Sequence, residues 1–541
     1  MSSALLALVA LLAASAAASE PATVVEASDY GRTSLFHEVV DFVHTVARTS
    51  SVVAVAPLTV SAEGRDVPLV ILSAERVRTP AELRATGKPA ILVMANIHAG
   101  EVEGKEACQM LIRDVASGPL ASLVATQTIL VIPVFNADGN DKLGKDRRDK
   151  GPDIAGVRYN GQHLDLNRDY TKLESPEVRA LVRVLTTWDP LLVIDMHTTN
   201  GSYHREPVTY TTSANPNASR ALSDYMWGTL FPAAAARLKQ DDGWDSVPYG
   251  NFSDGDPTKG WENDSVEARY GTNYVGLRNR LSILDENYSY ADFRTRVLGS
   301  YAFVRAVLGF TAGHVAEMTA LTRRVDEETR TGYLRQPFAL EFSLARLMDV
   351  TVKSFVFDKV AVTADQRAKA PWAGEFRLRP TEALRDYTVP YLALAAPTRS
   401  IPLPRGYLVP PGHDEVVATL LAHGIALERL QTACRVPVER FAIEKIELAR
   451  EIYQGHVLLT LTGRWDPGDA DVPAGTLFVD LRQPLARLVP ILLEPESIDG
   501  LATWGFFSRS IVKQWTNETA PYPVLRVAAP PPVPLVVVPT S

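Results

Sequence analysis

Four side chains in this sequence could together hydrolyse an amide: His98, Glu101, His197 and Glu286. The first two stand three apart in Asn96-Ile97-His98-Ala99-Gly100-Glu101, after a short apolar run and before the helical pattern Glu103 to Val115. Such a step at a strand-to-helix junction lets an imidazole and a carboxylate converge on one point, and zinc accepts both ligand types. Alone the string is weak, because His314-Val315-Ala316-Glu317 repeats it in mid-helix, with no strand before it, and reads as a solvated face. His197 closes the run Leu191-Leu192-Val193-Ile194-Asp195-Met196-His197, and Glu286 follows the run Ser282-Ile283-Leu284-Asp285. By itself His197 would read as a satisfied buried histidine. Ligands in open α/β sheets gather beyond the carboxyl ends of strands, however, and all these residues fall there. Three protein ligands leave one coordination position for water, which separates a catalytic zinc from a structural one. Bound zinc can bring the pKa of its water from about 15.7 towards about 7. A carboxylate must still carry the proton, and Glu286 is the candidate base. Asp285 is its rival, but alternation along a strand sends the two to opposite faces, so only one can meet the metal.

The elements that must position these groups are legible as apolar, nearly continuous runs at Ile91 to Ala95, Thr128 to Phe135, Leu191 to Met196 and Leu281 to Leu284. Runs of that kind suit strands buried on both faces. Helical patterns lie between them; Ser175-Pro176-Glu177 sets a cap, a first-turn proline and an acid ahead of Val178, Leu181, Val182 and Leu185 on one face. The fold class expected for residues 30–310 is therefore α/β, with a mixed, mostly parallel sheet flanked by helices. A smaller α+β domain is expected over 311–520, with helices at Gly313 to Arg324, Pro337 to Phe357 and Glu415 to His423. Its strands are expected at Glu375 to Leu378, His456 to Thr462 and Thr476 to Asp480, and no chemistry stands out there. A Pro-rich tail, 521–541, reads as extended and loosely held.

Between the first and last ligands lies Arg158-Tyr159-Asn160-Gly161-Gln162-His163-Leu164-Asp165-Leu166-Asn167-Arg168. This stretch resembles the substrate-binding segment of M14-type zinc carboxypeptidases, and its spacing from Arg158 to Asn167 is that of the carboxypeptidase-N/E-like branch. The order His-x-x-Glu, then Asn136-Ala137-Asp138-Gly139, Arg158, Asp-Leu-Asn-Arg, His197 and Glu286 follows the family over roughly residues 30–310. The resemblance implies that Asn167 and Arg168 hold the terminal carboxylate of a substrate, since a guanidinium fork matches two carboxylate oxygens. It implies that Arg158 polarises the scissile carbonyl, with Arg147 and Arg148 as runners-up. Asp165 is implied as the acid behind a ligand imidazole, His98. The family's mobile tyrosine has no match, because position 264 is Asp264; Tyr274 is taken as the substrate-binding substitute, with Tyr270 beside it. The loop Asn200 to Tyr203 is a candidate lining of the side-chain pocket.

Composition limits the alternatives. The 541 residues are 46% hydrophobic and 22% charged, an ordinary globular balance. A net charge of −8 without a basic block excludes a nucleic-acid partner. Met1 to Ser19 carries no charged side chain, an apolar run Ala4 to Ala14 and Ala16-Ala17-Ala18, and reads as a signal peptide. No later stretch is apolar enough to span a membrane, so a secreted or periplasmic protein is expected. Cys108 and Cys434, the two cysteines, are too few for a disulfide scaffold or a four-thiolate zinc site and read as small buried hydrophobes. Glycosylation sequons occur at Asn217, Asn251, Asn263, Asn287 and Asn517, and a glycan at Asn287 would obstruct the cleft. The expected activity is a zinc-dependent metallocarboxypeptidase, one zinc per chain, cleaving C-terminal bonds of a peptide or other substrate with a free carboxylate. Two other readings are a zinc amidase on cell-wall peptides or N-acyl amino acids using the same site, and a metal-free binding module on the same fold. Gly-x-Ser-x-Gly and His-Glu-x-x-His signatures are absent.

Overall fold

The computed structural model describes residues 21–146, 148, 150–199, 201–369, 376–511 and 520–539. The expected signal segment, Arg147, Asn200 and the sequon at Asn517 lie outside them. Eight strands form the main sheet: β1 Val53–Val60, β2 Asp66–Leu72, β3 Ala90–Ala95, β4 Thr128–Ile132, β5 Leu192–Thr199, β6 Val208–Thr211, β7 Ser246–Pro248 and β8 Leu281–Tyr288. Their spatial order is β1-β2-β4-β3-β5-β8-β6-β7. The central run β4, β3, β5 and β8 is parallel, and β1, β2 and β6 join antiparallel, so the sheet is mixed as expected. All residues of β3, β4 and β8 are buried, because helices cover both faces.

Those helices are α1 Phe36–Thr49, α2 Glu103–Ser117, α3 Pro176–Thr187, α4 Gly271–Leu277 and the 40-residue α5 Phe293–Gly332. Ser175 caps α3 by accepting from Val178 N, as its sequence foretells. The helix α5 spans the expected division at residue 310. Its first half buries Phe303 and Val307, and its second half buries Met318, Leu321 and Val325 in the same apolar cluster. One helix thus packs residues from both sides of that position into one apolar cluster.

The segment Pro337 to Phe357, expected as a helix, is instead strand β9, Phe338–Ala361, which pairs antiparallel with β10, Phe376–Ile401. Leu340, Leu344, Leu347 and Met348 mimic a helical stripe, but Val350, Val352 and Ser354 are buried alternately with Thr351 and Lys353 less so, the period of a strand. A second sheet contains β11 Gly406–Val409, β12 Glu428–Leu430, the hairpin β13 Cys434–Tyr453 with β14 His456–Val472, and β15 Leu477–Asp480. Helix α6, Asp414–Ala422, falls where a helix is expected. The tail is not loosely held in its described part: β16 Leu525–Val527 lies between β11 and β13, β17 Leu535–Val537 pairs with β12, and Tyr522 and Val524 are buried. One apolar cluster runs from Leu181 and Leu277 to Leu420, Ile425 and Leu488, so the two halves share a core. Among the described residues no helix is long and apolar enough to cross a membrane. Cys108 and Cys434 are both free thiols.

Candidate metal centre and substrate cleft

The sheet register brings the distant residues together. β5 and β8 run parallel with Glu286 opposite His197 and Asp285 opposite Met196, so Glu286 and His197 stand side by side on one face. β3 pairs with β5 up to Ala95 opposite Met196 and then turns. Asn96 makes that turn at φ 64°, with its side-chain amide donating to the carbonyls of Ala99 and Glu101. Gly100 completes it, because a Cβ there would sit 2.9 Å from the Gly156 carbonyl oxygen. Asn136 stitches the neighbouring loop by donating to the carbonyls of Ile97 and Arg158, which gives the Asn-Ala-Asp-Gly motif its place.

One nitrogen from each of His98 and His197 and one oxygen from Glu101 lie within 4.8 Å of one another. His98 Nδ1 is 3.1 Å from one Glu101 carboxylate oxygen and His197 Nδ1 is 3.0 Å from the other. Carboxylates stand at the far nitrogens: His98 Nε2 is hydrogen-bonded to Asp165 Oδ1 at 3.0 Å, and His197 Nε2 lies 3.0 Å from Asp195 Oδ2 without the alignment of a hydrogen bond. A carboxylate behind a ligand imidazole fixes its ring and tautomer. Two imidazoles and a carboxylate with this support fit one divalent ion of the zinc kind. Burial pushes the Glu101 carboxyl up, but the two imidazoles outweigh it and hold it well below the usual range. The reverse balance holds His197 well above the usual imidazole value, with burial opposed by Asp195 and Glu101.

Glu286 is 8% exposed, and among the described residues its Oε2 has no hydrogen-bond partner. Burial pushes its carboxyl up to about 8, against the pull of His197 and with a further push from Glu101. A dication beside it would lower that value. Asp285, fully buried, faces away and accepts from Ser300 Oγ at 3.4 Å, as alternation requires.

Arg158, Asn167 and Arg168 line the same cleft of about 160 Å³ as the three candidate ligands and Glu286. Arg158 Nε donates to Asp165 Oδ2 at 2.8 Å and its Nη1 lies 3.6 Å from Glu101, so it stands next to the ligand set. Asn167 Oδ1 accepts from Gly271 N at 2.8 Å, and the Arg168 guanidinium lies 4.2 Å from the centre of the Tyr270 ring. Arg148, a runner-up, donates to the Gly100 carbonyl and pairs with Asp146 as part of the loop scaffold.

Tyr274 is not brought to the cleft. It is fully buried, and its hydroxyl meets His423 Nδ1 at 2.7 Å and accepts from Arg278 at 3.2 Å. Helix α4 carries it on the face turned to the core, whereas Tyr270, at its N-terminal boundary, lines the cleft. Two groups were missed in the sequence. Asp195, two residues before His197, had a readable signal, since i and i+2 on a strand share a face. Tyr249 lines the cleft from the loop after β7, and its phenol is pushed up by burial and by Glu286; no local pattern marks it. A larger cavity of about 380 Å³ adjoins the cleft, sharing Thr211 and Thr212 but none of the ligand set.

Residues 39–255 match the family model for zinc carboxypeptidase, peptidase M14. That segment carries the zinc carboxypeptidase domain, and together with the relatives below it supports a metallocarboxypeptidase, a hydrolase of peptide bonds. Carboxypeptidase 2 of Trichophyton tonsurans is 24% identical over 495 residues, covering 86% of this chain and 81% of the relative. Carboxypeptidase 2 of Trichophyton rubrum is 24% identical over 493 residues with the same coverage, 86% and 81%. Among solved structures, carboxypeptidase A of Helicoverpa armigera is 15% identical over 53% of this chain and 75% of its own, with a TM-score of 0.40. A metallo-carboxypeptidase from Pseudomonas aeruginosa, in complex with (2-guanidinoethylmercapto)succinic acid, is 18% identical over 52% and 69% of the two chains, with a TM-score of 0.38.

Proposed function

We propose that this chain is a secreted or periplasmic zinc carboxypeptidase that removes residues from the free carboxyl end of a peptide. The observation that carries the reading is the convergence of His98, Glu101 and His197 within 4.8 Å, beside the unpartnered carboxylate oxygen of Glu286. A zinc ion in that triad supplies Lewis acidity, lowering the pKa of water and polarising a carbonyl. The chain's own residues supply the remainder. Glu286 Oε2 accepts a proton from the attacking water and returns it to the leaving amine. Arg158, held by Asp165, presents its guanidinium where charge develops on the scissile carbonyl. Asn167 and Arg168 hold the substrate carboxylate, with Tyr270 supporting the guanidinium. Export rests on the apolar run and the Ala-rich site in Met1 to Ser19.

Metal analysis paired with a blocked-peptide assay tests the reading. About one zinc per chain is expected, with cleavage of a peptide bearing a free C-terminal carboxylate and none of its C-terminal amide. Equal cleavage of both peptides would remove the role given to Asn167 and Arg168. A chain that takes up no zinc when supplied with it would refute the proposal.

A further inference from the structure

The hairpin joining β13 to β14 turns at Gln454 and Gly455, both at positive φ, 51° and 81°. Glycine adopts this backbone freely, whereas glutamine is strained there. Local energetics therefore favour glycine at 454, yet a long amide side chain stands there and reaches the catalytic half. Its Oε1 accepts a hydrogen bond from the backbone N–H of Asp165 at 2.8 Å, across 289 positions of sequence. The hairpin end is held on both flanks. Tyr453 stacks on Trp504 with ring centroids 6.1 Å apart and lies 5.6 Å from the Arg269 guanidinium, itself 2.7 Å from Asp499. On the other flank His456 Nε2 lies 2.7 Å from Glu174 Oε1.

Asp165 is the junction of the site. Its carboxylate meets His98 Nε2, Arg158 Nε and the backbone N–H of Asn167 at 3.0, 2.8 and 3.0 Å. We propose that Gln454, delivered by the C-terminal half, is a positioning residue for the catalytic site: by fixing the Asp165 backbone it sets His98 for the metal and Arg158 and Asn167 for the substrate. This rests on the zinc carboxypeptidase reading. It makes the β13–β14 hairpin a working part of the enzyme.

The test uses full-length Gln454→Gly, Gln454→Met and Gln454→Glu. Gln454→Gly relieves the positive φ and removes the acceptor, Gln454→Met keeps length without an acceptor, and Gln454→Glu keeps an acceptor oxygen. Hydrogen exchange at the Asp165 amide is expected to speed up by about tenfold or more in the first two variants and to stay near parental in Gln454→Glu. Zinc affinity by chelator competition and kcat/KM on a blocked peptide should each fall by about three- to tenfold, less than the about 10- to 100-fold typical of a residue touching a metal ligand directly. Gln454→Glu should recover most of that loss, and Gln454→Gly should melt no lower than the parent. Unchanged Asp165 exchange in Gln454→Gly overturns the proposal, as does unchanged zinc affinity and turnover despite faster exchange. Equal losses in all three variants, tracking a lower melting temperature, reduce Gln454 to a packing role and overturn it too. If the zinc-loaded parent cleaves no blocked peptide, the functional reading fails, while exchange and zinc affinity still decide the role of Gln454.

Discussion

The catalytic sheet and the long hairpins of the C-terminal half use their strands in opposite ways. β3, β4 and β8 are short and buried throughout, whereas β9, β10, β13 and β14 are 24, 26, 20 and 17 residues long and largely exposed along one face. A strand covered on both faces has no freedom to slip, because its register is fixed by helices above and below. Side chains at the carboxyl ends of such strands are therefore held to a fraction of an ångström relative to one another, which a metal triad demands. A hairpin arm bearing on little beyond its partner strand offers reach instead. The contact of Gln454 with Asp165 is the place where reach meets precision.

The sharpest way to break this contrast is at the sheet edge. Glu286→Gln should cut kcat by about 10²- to 10⁴-fold, the usual worth of a general base, while zinc content stays at the parental level. An active, zinc-loaded variant would show that another group carries the proton. Arg168→Ala removes a charge-assisted fork worth about 1.5–3 kcal/mol, so KM for a free-carboxylate peptide should rise by about 10- to 100-fold, with a smaller change in kcat. Parental KM would move the carboxylate contact elsewhere.

The boundary between the halves offers a pH test. His423, at the end of α6, is buried, with Nδ1 on the Tyr274 hydroxyl and Nε2 3.1 Å from the Thr171 carbonyl oxygen. Burial pushes its imidazole down to about 3, so the folded state keeps it neutral where the unfolded chain, with its ordinary value near 6.5, binds a proton. Stability is then complete above about pH 6.5 and falls progressively as pH drops towards 3. In the His423→Gln variant, denaturant midpoints should lose part of that acid dependence; an unchanged slope would assign it to the carboxylates. The smallest effect is expected at Asp285→Asn. Although Asp285 adjoins the proposed base, it faces Ser300 on the opposite side of β8, and turnover should stay within about threefold of the parent. A loss rivalling that of Glu286→Gln would mean that the two faces communicate.

The sequon asparagines show how tertiary structure overrides a local motif. Asn217, Asn263 and Asn287 are buried, and their amides donate to the Ala339 carbonyl, the Thr211 hydroxyl and the Ser300 hydroxyl. A glycan on any of them is incompatible with this fold, whatever cell makes the protein. The helix expected over Pro337 to Phe357 failed for a related reason. Leucine and methionine at helical spacing state a preference, and pairing along the whole of β10 outweighs it.

The sequence by itself placed the candidate ligands, because apolar runs name their strands and residues that read as nothing special singly fall together just past the strand ends. His98, Glu101, His197 and Glu286 were legible for that reason, as was the opposition of Asp285 and Glu286. Only tertiary structure decided what stands behind and around them. Tyr249 and Tyr270 in the cleft, Tyr274 turned to His423, and Gln454 on Asp165 depend on packing between segments tens to hundreds of residues apart. Local periodicity reports which face of an element is apolar; it holds no information on which distant element will cover that face.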